Sequence, residues 1–137
     1  MSELHLDGQV QAFFDTFAAA SDRLDTDRLA ELFADTFLAA DPAGVQAVPR
    51  QAFLHALPRR AQLFAAAGIA RVALADLQYH ALDDTYLLAR TTWHGERTAA
   101  STPIRLSSTF VLRRDADRLQ VVFYLNHQDL AQALSPA

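Results

Sequence analysis

Apolar residues recur at helical spacing before Gly68 and at strand spacing after it. That change of period confines the chain to helices packed on a sheet. An amphipathic helix hides one stripe and an alternating strand hides one face, so each needs another layer to cover it. Val10, Phe13, Phe14 and Phe17 share one face and predict a helix over 10–20. Asp22 or Asp25 would cap a second helix that carries Leu29, Leu32 and Phe33 on one side. Residues 37–40 read as a short apolar strand and 41–44 as a turn, because Pro42 presets φ and Gly44 tolerates positive φ. Residues 45–48 would pair back. Pro49 suits the start of a third helix, with Phe53, Leu54, Leu57 and Phe64 on its apolar face up to Gly68. Pro58 inside it predicts a kink or break.

Four β-rich runs follow, over 69–82, 86–94, 104–113 and 119–127. Asp83-Asp84 and residues 115–117 read as hairpin turns, 95–103 as a longer polar connection, and 128–137 as a tail with a helical turn. Consecutive hairpins predict an antiparallel meander. The fold class is therefore α+β: a curved antiparallel sheet with the three N-terminal helices on one face. Val121, Val122, Phe123, Tyr124 and Leu125 are apolar in succession, where a strand wet on one side would alternate. Both faces of that strand are expected to be covered, one by helices and the other by a second copy of the chain, giving a homodimer through the sheet.

Several chemistries are excluded by composition. At 137 residues the chain suits one domain with a full core. It has no cysteine, which removes disulfides, thiol catalysis and cysteine-ligated metals. All twelve basic residues are arginine, which removes Schiff-base lysines and a P-loop lysine. A net charge of -4 with no basic cluster longer than Arg59-Arg60 or Arg113-Arg114 argues against nucleic acid. The N-terminal MSELHLDGQV lacks the apolar core of a signal peptide, and no apolar run approaches ~20 residues, so no membrane partner and a cytoplasmic location are expected. The five histidines include no helical i, i+4 pair, and the four glycines form no phosphate loop. Neither a metal nor a cofactor is expected.

Asp41 ends the apolar run Phe37, Leu38, Ala39, Ala40. A carboxylate there is costly unless it is paired, solvated or used. In a dry pocket its pKa would rise and it would serve as a general base. The alternative is a turn cap, since Asp commonly bonds the backbone beside Pro and Gly. His127 is a second acid–base candidate. Alternation puts Tyr124 and Asn126 on one side of the last strand, as donors to a ligand, and Phe123, Leu125 and His127 on the other. Asn126 and His127 would otherwise simply end the strand at its rim. Tyr79 and Trp93 would line an apolar pocket with a polar tip, or pack in the core. Arg90, mid-strand, needs a partner: a ligand carboxylate held bidentately, or a salt bridge with a residue such as Asp76.

The element order over 10–130 and the phrase LFADTFLAADPAG (32–44) resemble the nuclear-transport-factor-2-like superfamily, which includes ketosteroid isomerase, scytalone dehydratase and polyketide cyclases. The resemblance implies a cone-shaped, cystatin-like roll with a pocket between sheet and helices, and frequent dimers. Asp41, directly before Pro42 and followed by Gly44, is similar in position to the general base of ketosteroid isomerase. The chain departs from that enzyme elsewhere. Its first helix offers Phe13, Phe14 and Phe17 where an oxyanion-binding tyrosine is needed, and residues 104–110 offer Ser107, Ser108 and Thr109 but no acid. Ketosteroid isomerisation is thus disfavoured, while Ser108 remains a donor for a polar ligand atom. The epoxide-hydrolase Asp-Arg-Asp arrangement is not recognisable either. What remains is a pocket protein for a small apolar or partly polar molecule. It would be a cofactor-independent isomerase, dehydratase or cyclase with Asp41 as base, or else a non-catalytic ligand-binding or dimerisation module.

Overall fold

The aromatic stripe of the first helix organises the interior. A computed structural model describes residues 3–97 and 103–134. Helix α1 (Glu3–Asp22) and α2 (Thr26–Leu32) precede strands β1 (Phe33–Asp41) and β2 (Gly44–Pro49). Helix α3 (Arg50–Ala66) then leads into β3 (Ile69–Ala81), β4 (Tyr86–Arg97), β5 (Ile104–Asp115) and β6 (Arg118–Asn126), and α4 (Leu130–Ala133) closes the described chain. The result is the expected α+β fold, with one curved six-stranded sheet in the order β2-β1-β6-β5-β4-β3.

Phe14, fully buried, meets Phe110 of β5 edge-on at 5.1 Å, and Phe17 reaches Phe33 (6.0 Å) and Phe110 (5.5 Å). Phe110 and Tyr124 stack at 4.6 Å across the β5–β6 ladder. Large rings in offset and edge-on contact pack densely and fix the angle at which α1 crosses the sheet. Truncating one such ring to alanine typically costs about 3–5 kcal/mol.

Three local features differ from the sequence expectation. The first strand begins at Phe33 rather than at residue 37, and it pairs parallel with β6, so the sheet is mixed rather than wholly antiparallel. The long return from β1 to β6 permits this, since parallel neighbours need a long crossover. Second, α3 runs unbroken through Pro58. Pro58 is exposed while its neighbour Leu57 is buried, so packing of the opposite face outweighs the one lost backbone bond. Third, the ladder slips between Val111↔Phe123 and Leu112↔Val121, leaving Val122 as a bulge residue. The bulge lets Val121 and Tyr124 both face the helices, whereas strict alternation would place them on opposite faces. Part of the 95–103 connection, residues 98–102, and the tail from 135 lie outside the described residues.

Turn chemistry follows the sequence closely. Asp25 caps α2, accepting from the Arg28 amide at 3.1 Å. Arg50 fastens the end of α2 to β1: Nη1 donates to the carbonyls of Ala30 and Phe33 (3.3 Å each), and Nη2 pairs with Asp35 at 3.1 Å.

Candidate functional site

Between the inner face of the sheet, α3 and the corner joining α1 to α2 lies a cavity of about 310 Å³. Helix α3 contributes Phe53, Leu57, Arg60, Ala61 and Phe64, the spacing of one helical face. Strands β4, β5 and β6 contribute Trp93, Leu106, Ser108, Tyr124 and Asn126. At the α1–α2 corner Leu24 has a φ of 52°, a left-handed conformation that side chains other than glycine rarely adopt.

The polar groups of the wall occur in pairs. Arg60 Nη2 donates to the Tyr124 hydroxyl oxygen at 3.0 Å, and its guanidinium lies over the rings of Phe64 (5.9 Å) and Tyr124 (5.8 Å). Ser108 Oγ donates to Asn126 Oδ1 at 3.0 Å, a cross-strand pair set by the β5–β6 register. The Trp93 indole N–H donates to Thr91 Oγ1 at 2.8 Å, and Thr91 Oγ1 donates to the Ser108 carbonyl at 3.3 Å. Trp93 therefore spends its polar atom inside the wall and offers the cavity its ring.

Four of the six sequence-derived ligand-binding candidates, Trp93, Ser108, Tyr124 and Asn126, are thus brought together at the cavity. The others are placed elsewhere. Asp41 is exposed in the β1–β2 hairpin turn, where Oδ1 accepts from the Ala43 amide at 2.8 Å. This is the backbone-capping geometry of an Asx turn. His127 is exposed on the outer side of the sheet with Nε2 2.7 Å from Thr109 Oγ1. Tyr79 donates its hydroxyl to Asp7 and ties β3 to α1. Arg90 is exposed on the outer side of β4. None of these four lines the cavity.

Arg60, Ser21, Asp22 and Arg71 also line it and were not anticipated. Arg60 had a legible signal: it falls on the same helical face as Leu57 and Phe64, where an arginine interrupts an apolar stripe. The carboxyl of Asp83 is held below its ordinary pKa range by the amides of Tyr86 and then Thr85. It sits in the β3–β4 turn, outside the cavity lining. Among the described residues no three His, Asp or Glu side chains gather as a metal site would require, and no helix is long and apolar enough to cross a membrane.

Residues 6–129 match the sequence profile of a family described as NTF2-like protein (DUF6841). The chain belongs to this NTF2-like family. Solved NTF2-like structures share its fold. An NTF2-like protein of unknown function from Pseudomonas putida superposes with a TM-score of 0.72 at 15% identity, covering 93% of this chain and 89% of its own. A second, from Shewanella oneidensis, gives 0.71 at 10% identity, covering 89% and 98%. A third, from Novosphingobium aromaticivorans and described as having a cystatin-like fold, gives 0.69 at 14% identity, covering 96% and 89%. No curated protein matches the chain in sequence. At such identities the likeness establishes the NTF2-like architecture, and function has to be argued from the cavity itself.

Proposed function

We propose that this NTF2-like chain binds a small, mainly apolar molecule in the cavity between α3 and the sheet. The observation that carries this reading is the wall: aromatic and aliphatic side chains around about 310 Å³, with the Arg60–Tyr124 and Ser108–Asn126 pairs as its polar points. Mostly apolar surface with a few placed polar groups is the usual composition of ligand sites, whose volumes begin at about 300 Å³. Binding is favoured over turnover because, among the described residues, the lining holds one carboxylate, that of exposed Asp22, and no histidine. Asp41 and His127, the acid–base candidates of the sequence, lie outside it. A thermal-shift screen of small apolar compounds tests the reading, with Ala61→Phe as a variant whose added ring fills the cavity. Compounds that stabilise the native chain and not Ala61→Phe support it; a panel that acts equally on both removes it. Saturation at a hundredfold excess over Kd would stabilise by about 2.7 kcal/mol.

A second reading, self-association, is favoured by the opposite face of the sheet. Leu38, 44% exposed, is in register with Phe123, which is in register with Val111, so three apolar side chains cross β1, β6 and β5. A second copy of the chain would cover them. Light scattering on the pure protein tests this: a dimer that becomes monomeric in Phe123→Glu supports it, and a monomeric native chain ends it.

A further inference from the structure

We infer that the ligand of this cavity is a planar aromatic carboxylate whose head group meets Arg60 and Tyr124. The inference rests on the cavity being a ligand site and adds the chemical class. Arg60 is half-buried on the cavity face of α3. Among the described residues no carboxylate oxygen lies within 4.0 Å of its nitrogens. Its hydrogen-bond partner is the neutral hydroxyl of Tyr124. A guanidinium partly withdrawn from water is stabilised far better by a counter-charge than by a phenol.

The surroundings hold this cation in place without neutralising it. Its guanidinium carbon lies over the Phe64 and Tyr124 rings, 5.9 and 5.8 Å from their centroids. Held over these rings and giving one N–H to Tyr124, the guanidinium has further N–H groups for a carboxylate, the partner it grips best with two parallel bonds. Tyr124 accepts from Arg60 and keeps its own O–H to donate. Both donors thus converge on one small volume at the cavity wall. The local charge has the matching sign: the lining carries two arginines, Arg60 and Arg71, against Asp22, although the whole chain has a net charge of -4.

The rest of the wall selects the ligand's body. Five rings, those of Phe17, Phe53, Phe64, Trp93 and Tyr124, line the cavity. Phe17 and Trp93 are tilted by 38° at 5.9 Å and Phe53 and Tyr124 meet edge-on at 70° and 6.5 Å, so the rings of the wall are set at differing angles. Such a wall favours a flat π-system over a flexible chain, because rings gain directional contacts and lose little rotational freedom. A volume of about 310 Å³ is that of roughly ten water molecules, which suits a one- or two-ring acid.

The test is calorimetric titration of 2-naphthoate and of its neutral counterpart 2-naphthylmethanol into the native chain, Arg60→Gln and Arg60→Lys at neutral pH. The native chain is expected to prefer naphthoate by about tenfold or more, the discrimination one charge-assisted contact supplies. Arg60→Gln is expected to abolish the preference while still binding naphthylmethanol. Arg60→Lys, which keeps charge but not the fork, is expected to retain part of it, and this variant decides the matter if Arg60→Gln does not fold. Equal affinity of the native chain for both compounds, or a preference unchanged in Arg60→Lys and Arg60→Gln, overturns the carboxylate inference and leaves the binding reading standing. Binding of neither compound overturns both.

Discussion

Arg60 Nη2 and the Tyr124 hydroxyl oxygen lie 3.0 Å apart, joining the middle of α3 to the last strand across 64 positions of sequence. Helix α3 covers the cavity through this bond and through the rings of Phe53 and Phe64. Tyr124→Phe removes the acceptor and keeps the stacked ring. It is expected to lower stability by about 1.5–3 kcal/mol, the loss of a hydrogen bond to a charged group, and thermal or urea unfolding measures it. An unchanged midpoint would mean that Arg60 finds water as readily as Tyr124.

Leu24 occupies the position after α1 that glycine ordinarily takes: its amide bonds the Ser21 carbonyl at 3.3 Å, and the Asp25 amide bonds that of Ala20 at 2.9 Å. Left-handed backbone costs a side chain about 1–2 kcal/mol. Leu24→Gly is expected to gain up to about 1 kcal/mol of stability, since the side chain is 39% exposed and the strain relief exceeds the lost burial. Leu24 also borders the cavity, so the same variant is expected to bind cavity ligands more weakly. Weaker unfolding resistance together with unchanged binding would contradict both halves.

Asp41 holds the β1–β2 turn through the Ala43 amide at 2.8 Å. Asp41→Ala is expected to cost about 1 kcal/mol, one hydrogen bond's worth, and to leave cavity binding within error of the native chain. A loss of binding in a fully folded Asp41→Ala protein would return this residue to a functional role.

Asp83 accepts from the amides of Tyr86 (2.7 Å) and Thr85 (2.8 Å), which lowers its pKa from the ordinary 3.8. A carboxyl whose folded pKa is depressed stabilises the fold above its unfolded value. That contribution is lost as pH falls through the lower, folded value. The native chain is therefore expected to be more stable than Asp83→Asn near neutral pH, with the gap closing as pH falls below 3.8. Paired melting curves across the acid range measure it, and a gap that persists unchanged in acid would contradict the assignment.

The helix–sheet division at Gly68 and the turn at Asp41 were legible in the sequence because each depends on near neighbours. Gly68, at a φ of 78°, ends the helical region, and Pro42 lies in the two-residue loop between the paired Asp41 and Gly44. The alternation that separates Tyr124 from Phe123 was legible for the same reason. The role of Asp41 was not. One phrase is compatible with both a pocket base and a turn cap, and the choice depends on which way the hairpin carries the carboxylate. Pro58 is a similar case, since its local penalty is plain in the sequence and the packing that outweighs it is not.

By itself, then, the sequence determined the α+β class and the hairpin turns, both consequences of local geometry and of the spacing of apolar residues. Only the tertiary structure decided that β1 runs parallel to β6, that the bulge at Val122 turns both Val121 and Tyr124 inward, and that Arg60 meets Tyr124 at the cavity wall. These are pairings between segments far apart in the chain. Their energies come from how faces fit once brought together, a property that no local stretch of residues contains.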